Sequence, residues 1–301
     1  MIALLFLAAA LRISVPYALA AMGSALSERG GVVCIALEGL MLNGALAYTL
    51  GAYATNDPWI GIGCALLAGL LTAWLHAEAT VRFRADQITT GIGINLLAAG
   101  LTRFVLVQVF HSSSNSPRVP GLPPLPIGAL ARLPGIGDLL ASPLVIATIV
   151  LVVLVQLLLF RTVFGLRLRA MGERPEAAAS LGLSVLRYRF AGVLLCGLLA
   201  SLGGAWLASE QHSFTDGMTG GRGYIALAAM IVGKWNPMGA AAACLLFGAA
   251  EALQITLQGS AFPSEVLQAL PYLVTMLALA GFIGRAVAPR ADGIPFDPEE
   301  H

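Results

Sequence analysis

Residues 143–160 read PLVIATIVLVVLVQLLLF, eighteen residues without a single charge. As an α-helix at about 1.5 Å per residue this run is roughly 27 Å long, close to the ~30 Å hydrocarbon core of a bilayer. A second run, FAGVLLCGLLASLGGAWLA (190–208), has the same character. Soluble domains carry charge on roughly a quarter of their residues. This chain of 301 residues is 11% charged and 58% hydrophobic, with a mean hydropathy of +0.84. The expectation is an all-α fold, a polytopic bundle of membrane helices.

Nine segments are predicted: 2–26, 33–54, 58–81, 86–110, 143–160, 190–208, 222–234, 237–257 and 266–284. The seventh is too short to span alone and stops at GKWNP, where Pro237 interrupts any continuous helix. Basic residues set the orientation, because they gather in cytoplasmic loops. With the 161–189 loop inside, Arg29, Arg82, Arg84, the six loop arginines, Lys234, Arg285 and Arg290 share one side. Only Arg118, Arg132 and Arg222 then lie outside, with Arg12 and Arg103 within spans. The N-terminus is expected outside and the C-terminus inside. Residues 1–285 form the expected transmembrane domain, and 286–301 a polar, proline-containing cytoplasmic tail expected to be disordered. MIALLFLAAALR lacks the positive n-region of a signal peptide and is read as part of the fold.

The missing chemistry narrows the function. No GxxxxGK[ST] phosphate loop occurs, and Lys234 is the only lysine. HExxH, GxSxG and paired-carboxylate patterns are absent, so no catalytic residue and no metal site is assigned. The net charge of +1 says nothing about nucleic acid, because the positive charge is dispersed in loops rather than gathered in a patch, and no nucleic-acid partner is assigned. Cys34, Cys64, Cys196 and Cys244 lie scattered in apolar segments and read as small packing residues. His76, His111 and His212 fall near segment ends and read as interfacial or solvated.

Charged groups at the bilayer centre cost about 2.5–3.5 kcal/mol on insertion scales, so they mark protein contacts or a wet path. Arg12, Glu38, Arg103 and Glu251 are such groups, with Asn43, Gln87, Asn95 and Gln254 as neutral partners. The alternative is that they hydrogen-bond neighbouring helices and lock the bundle. Two stretches also resemble each other, GGVVCIAL (30–37) and GGRGYIAL (220–227), as the interrupted helices of an inverted repeat would. The irregular, proline-rich stretch 111–143 reads as a linker or as a surface for an external partner.

The loop 161–189 concentrates charge. Within it, RAMGERPEAAASLGLSVLRYR (169–189) predicts a short helix from Pro175, with Glu173 and Glu176 at its positive end and Gly182 as its stop. So short a helix is marginal alone and needs a packing partner. Ala177 and Ala178 leave a low surface for one, and the flanking arginines suit anionic lipid or acidic groups.

Glu176-Ala177-Ala178, three residues, then Gly182 resembles the EAA---G loop of ABC importer permeases, which docks the ATPase subunit. The usual Ile-x-Leu-Pro after the glycine is missing. SERGGVVCIALEGLMLNGALAY (27–48), DQITTGIGINLLAAGLTRF (86–104) and GGRGYIALAAMIVGKWNPMGA (220–240) extend the resemblance over nearly the whole chain. They are similar to permeases of the branched-chain amino acid, ribose and nucleoside superfamily. The likeness is nearest in the nucleoside and simple-sugar branch fed by basic-membrane-protein-type binding lipoproteins. Cys34 departs from the Asn common in that branch.

The resemblance implies an ABC importer permease fold in a bacterial cytoplasmic membrane. It implies a second related permease, an extracytoplasmic solute-binding protein, and an ATPase partner that binds the ATP and Mg, leaving no cofactor in this chain. It assigns ATPase coupling to Gly172, Glu173, Pro175, Glu176, Ala177, Ala178 and Gly182. The path is assigned to Glu38, Asn43, Asn95, Lys234, Trp235 and Asn236, with Trp235 stacking on a nucleoside. Simple sugars or branched-chain amino acids are the alternative solutes. An ion-coupled secondary transporter using Glu38 and Glu251 is the alternative mechanism.

Overall fold

The computed structural model describes residues 2–126, 141–258 and 287–297, with residues 137, 269, 273, 274, 276 and 277. Ten α-helices carry these segments: α1 (Ile2–Arg29), α2 (Leu37–Thr55), α3 (Pro58–Ala77), α4 (Gln87–Phe110), α5 (Pro143–Arg161), α6 (Val163–Glu173), α7 (Pro175–Ser180), α8 (Val185–Gln211), α9 (Arg222–Val232) and α10 (Pro237–Leu257). A π-helical turn, Glu78–Arg82, extends α3. Among the described residues there is no strand, only an isolated bridge between Asn115 and Thr215.

The helix boundaries follow from local chemistry. Proline opens α3, α5, α7 and α10, where its missing N–H costs nothing. Asp57 and Asp86 cap α3 and α4 by accepting from Trp59 N at 2.8 Å and Thr89 N at 2.7 Å. Asn56, His111 and His212 close α2, α4 and α8 in the left-handed region.

Among the described residues six helices are long and apolar enough to cross a membrane: α1, α3 with its π turn, α4, α5, α8 and α10. Six of the nine expected segments thus coincide with helices of membrane-spanning length and composition. α2 is 19 residues long but carries Glu38 and Asn43 and is largely buried by its neighbours. An interior helix has no need of a lipid-compatible surface. α9 has 11 residues, about 16 Å at 1.5 Å per residue, so it enters the bundle without crossing it. The expected segment 266–284 lies largely outside the described residues.

α8 is the central element, packed on α1, α2 and α3. Glycine makes that closeness possible: a Cβ on Gly204 would stand 1.8 Å from Met41 O, and one on Gly69 2.2 Å from Ser201 Oγ. Helices in lipid associate through such close backbone packing, because apolar burial alone favours a helix neighbour no more than a lipid tail. Several of the exposed charges lie towards the two ends. Arg12 pairs with Glu210 at 3.4 Å and Arg103 with Asp216 at 3.9 Å at one end, where both arginines are half or more exposed. Arg29, Arg84, Lys234 and the loop arginines gather at the other.

Residues 291–297 are packed, against the expectation of a disordered tail. Ala291 N donates to Gly172 O at 2.8 Å, Arg189 Nη1 donates to Ile294 O at 2.7 Å, and Arg84 pairs with Asp297. Phe296 is buried in a small cluster with Met171, Ala178 and Val185. Two apolar residues and a set of backbone hydrogen bonds outweigh the polar composition that suggested a free tail.

Candidate functional site

The first connection of the chain holds irregular backbone inside the bundle. α1 ends at Arg29 and α2 begins at Leu37, and Gly31 between them has φ +88°. Buried N–H and C=O groups must find partners in a low-dielectric interior. Ser27 Oγ donates to Val32 O at 2.7 Å, and Val33 N donates to Gln87 Oε1 at 2.7 Å. His76 Nε2 lies 3.4 Å from Val33 O. His76 is thus buried, not interfacial, because this loop supplies a polar partner within the apolar core.

Asn95 completes the set. Its Oδ1 accepts from Gly39 N at 2.8 Å, and its Nδ2 donates to Ile35 O at 2.9 Å and to Tyr224 Oη at 3.0 Å. One amide therefore holds the break, the first turn of α2 and α9 together. Glu38 acts beside it: its carboxylate accepts from Gly221 N at 2.8 Å and from Gly223 N at 2.7 Å. A carboxylate there meets the positive end of the α9 dipole, a contribution of about 0.3–2 kcal/mol. The approach is tight, since a Cβ on Gly223 would lie 2.5 Å from Glu38 N. Arg222 is held separately, by Glu251 at 2.8 Å, and Glu251 also accepts from Tyr17 Oη.

The two similar stretches 30–37 and 220–227 thus meet in space, but with different conformations. The first is mostly irregular and ends as α2 starts, whereas the second is helical from Arg222.

The other residues expected at a path are distributed elsewhere. Asn43 turns to α3, where its Nδ2 donates to Thr72 Oγ1 at 3.0 Å and its Oδ1 is buried without a partner. Lys234, Trp235 and Asn236 form the turn at the far end of α9, with Lys234 and Trp235 in the left-handed region. Trp235 is 6% exposed and its indole N–H donates to Glu28 at 2.7 Å. Arg29 Nε donates to Trp235 O at 2.8 Å, and Asn236 Oδ1 caps α10 by accepting from Met238 N at 3.0 Å. Tyr224, which the sequence reading missed, has an exposed ring beside Glu38 and Asn95. A tyrosine in a short interrupted helix was the available signal. Cys34 is fully buried with its sulfur 3.4 Å from Cys196 Sγ.

The loop 161–189 brings its own residues together. α7 covers Pro175–Ser180, with Pro175 and Ala178 buried and Glu173, Glu176 and Ala177 exposed. Gly182 follows at φ +78° with open space around it. Clefts of about 330 and 280 Å³ flank the short helix, the first lined in part by Phe164, Gly182 and Arg187, the second by Ala179, Leu183 and Phe296. Gly172 is buried against α1, where a Cβ would stand 2.4 Å from Arg29 O.

Among the described residues no group of three His, Cys, Asp or Glu side chains is placed to hold a metal. The described residues thus form a bundle of membrane-length helices, with broken helices latched by single polar side chains and an exposed short helix between two of them. The chain belongs to the family of branched-chain amino acid transport system permease components, whose sequence profile matches residues 6–279.

It is 40% identical to the guanosine ABC transporter permease protein NupQ of Bacillus subtilis, over 93% of this chain and 92% of that one. It is 41% identical to the nucleoside ABC transporter permease protein NupC of Lactococcus lactis, over 94% and 93%. A more distant relative, the guanosine ABC transporter permease protein NupP of Bacillus subtilis, is 26% identical over 90% of this chain and 80% of that one. No solved structure shows significant similarity.

Proposed function

We propose that this chain is the transmembrane permease subunit of an ATP-binding-cassette importer for nucleosides. The observation that carries the reading is its identity of 40% and 41%, across nearly the full length, to permeases named for guanosine and nucleoside transport. The occurrence of two related guanosine permease proteins in one organism supports a heterodimer with a second permease. In this reading residues 1–285 form a nine-segment importer permease domain. The loop arginines face the cytoplasm, the N-terminus lies outside and the C-terminus inside. A solute-binding protein delivers solute at the outer face.

The coupling role of Glu173, Glu176, Ala177 and Gly182 draws support from their exposure on and beside α7, while Gly172, Pro175 and Ala178 are buried and would hold that surface in place. A partner ATPase, which binds ATP and Mg in its own fold, docks on this exposed ridge and moves it. Gly172 lies against Arg29, so that motion reaches the irregular segment 30–36 through direct packing. Glu38 and Asn95 then hold or release the start of α9, and the Tyr224 ring offers a stacking face to a base. Asn43, Lys234, Trp235 and Asn236 serve by shaping the helices around this path.

The test is reconstitution of the permease pair, ATPase and binding protein in liposomes, with labelled guanosine, a sugar and a branched-chain amino acid in turn. ATP-dependent accumulation of the nucleoside is expected. Accumulation driven by a proton or sodium gradient without ATP would replace this reading with ion-coupled transport.

A further inference from the structure

The C-terminal segment 291–297 touches each moving part that the proposed mechanism needs. Its Ala291 N donates to Gly172 O at 2.8 Å, at the base of the short helix. Three elements converge on Gly31, where an added Cβ would lie 2.9 Å from Arg189 Nη2, 3.1 Å from Ala291 O and 3.2 Å from Gly172 Cα. A Cβ on Gly293 would come 3.5 Å from Val33 Cγ2, in the middle of the irregular segment. Arg189 donates to Ile294 O at 2.7 Å and reaches both Met171 O and Ala291 O at 3.4 Å. Phe296 packs under α7 with Met171, Ala178 and Val185, and Asp297 pairs with Arg84 before α4. Asp292 faces Glu28, which in turn accepts from Trp235 at the α9–α10 turn.

We propose that segment 291–297 is a positioning strut: Phe296 keys it to the coupling helix, and Ala291–Gly293 key it to the irregular segment 30–36. The inference rests on the importer reading above. A short helix fixed only by its two chain ends can shift without dragging its neighbours. A strut that hydrogen-bonds Gly172 and lies against Gly31 and Val33 makes the displacement common to both. Solute movement then stays tied to ATP hydrolysis.

The experiment reads that tie directly. In liposomes holding the complete transporter, nucleoside uptake and ATP hydrolysis are measured together for the wild type, Phe296→Ala, Phe296→Leu and a chain truncated after Pro289. Phe296→Ala and the truncation are expected to assemble and to hydrolyse ATP, yet to move about fivefold or more less solute per ATP. Phe296→Leu restores the ratio by refilling the cluster. An unchanged ratio in both Phe296→Ala and the truncation overturns the strut while leaving the importer reading in place. Parallel loss of assembly, hydrolysis and uptake shows that the segment merely holds the fold, which also overturns it. A wild-type complex without ATP-dependent uptake removes the importer reading, and the strut with it.

Discussion

Asn95 Nδ2 donates to Tyr224 Oη at 3.0 Å, and through the same amide the chain break before α2 is bound to α9. Asn95 is 8% exposed, so the amide works in a nearly dry site. Asn95→Leu leaves Gly39 N and Ile35 O without partners, at about 1–3 kcal/mol for each buried group. Thermal unfolding in detergent should show a clearly lower Tm.

Tyr224 separates the roles of ring and hydroxyl. Tyr224→Phe keeps the face and loses one hydrogen bond, a change of about 1 kcal/mol. Uptake should stay near wild type. Tyr224→Ala removes the stacking face and should cut nucleoside uptake about tenfold, as the loss of ~1–3 kcal/mol of base stacking implies. Equal uptake in both variants would show that the ring does not meet solute.

Glu38 satisfies the two N–H groups at the start of α9. Glu38→Gln keeps one acceptor oxygen and loses the charge facing the helix dipole, whereas Glu38→Ala leaves both donors unmet. A graded loss of stability is expected, up to about 2–4 kcal/mol for Ala and less for Gln. Hydrogen exchange at Gly221 and Gly223 is the direct measurement, with faster exchange in the Ala variant.

The exposed ridge of α7 gives a test of the proposed coupling role that leaves the membrane domain intact. Glu176 and Gly182 are both exposed, so Glu176→Lys and Gly182→Pro should insert normally. Proline is incompatible with the φ of +78° at Gly182 and distorts the turn after α7. Both variants should lose ATPase co-purification and uptake. Wild-type association in both would remove the coupling assignment.

The tail predicts a pH dependence of known sign. Burial pushes the Asp292 carboxyl up to about 7, against the opposing pull of its hydrogen bonding with Glu28, the charge of Arg189 and the Gly293 N–H. Its Oδ1 is buried without a hydrogen-bond partner, which disfavours the charged form. The folded value exceeds the unfolded carboxylate value of about 4, so the packed tail binds the proton more tightly. Its contribution to anchoring is complete below about pH 4 and lost as pH rises through about 7. Protease cleavage within 287–301 should accelerate between pH 5 and 8, and Asp292→Asn should flatten the response.

Much of this architecture was legible because its signals are local. Pro58, Pro143, Pro175 and Pro237 open helices where their fixed φ and missing N–H predict it. The helix 175–180 and its left-handed glycine follow from neighbouring residues alone. Glu38 and Asn95 stood out because polar groups in apolar segments are costly. Their partners did not stand out: Gly221 and Tyr224 are more than a hundred positions away. Nothing near His76 in sequence shows that Val33 O would bury it.

The chain by itself determined the solvent: long uncharged runs and scarce charge commit it to helices in a bilayer, because backbone polar groups there must be satisfied within the segment. It also marked several helix starts, at Pro58, Pro143, Pro175 and Pro237. Only the tertiary structure decided that α2 lies inside the bundle and that residues 287–297 are packed. Those outcomes depend on glycine-mediated contacts and single hydrogen bonds between distant residues. Such contacts are worth a few kcal/mol and leave no periodic trace in the sequence.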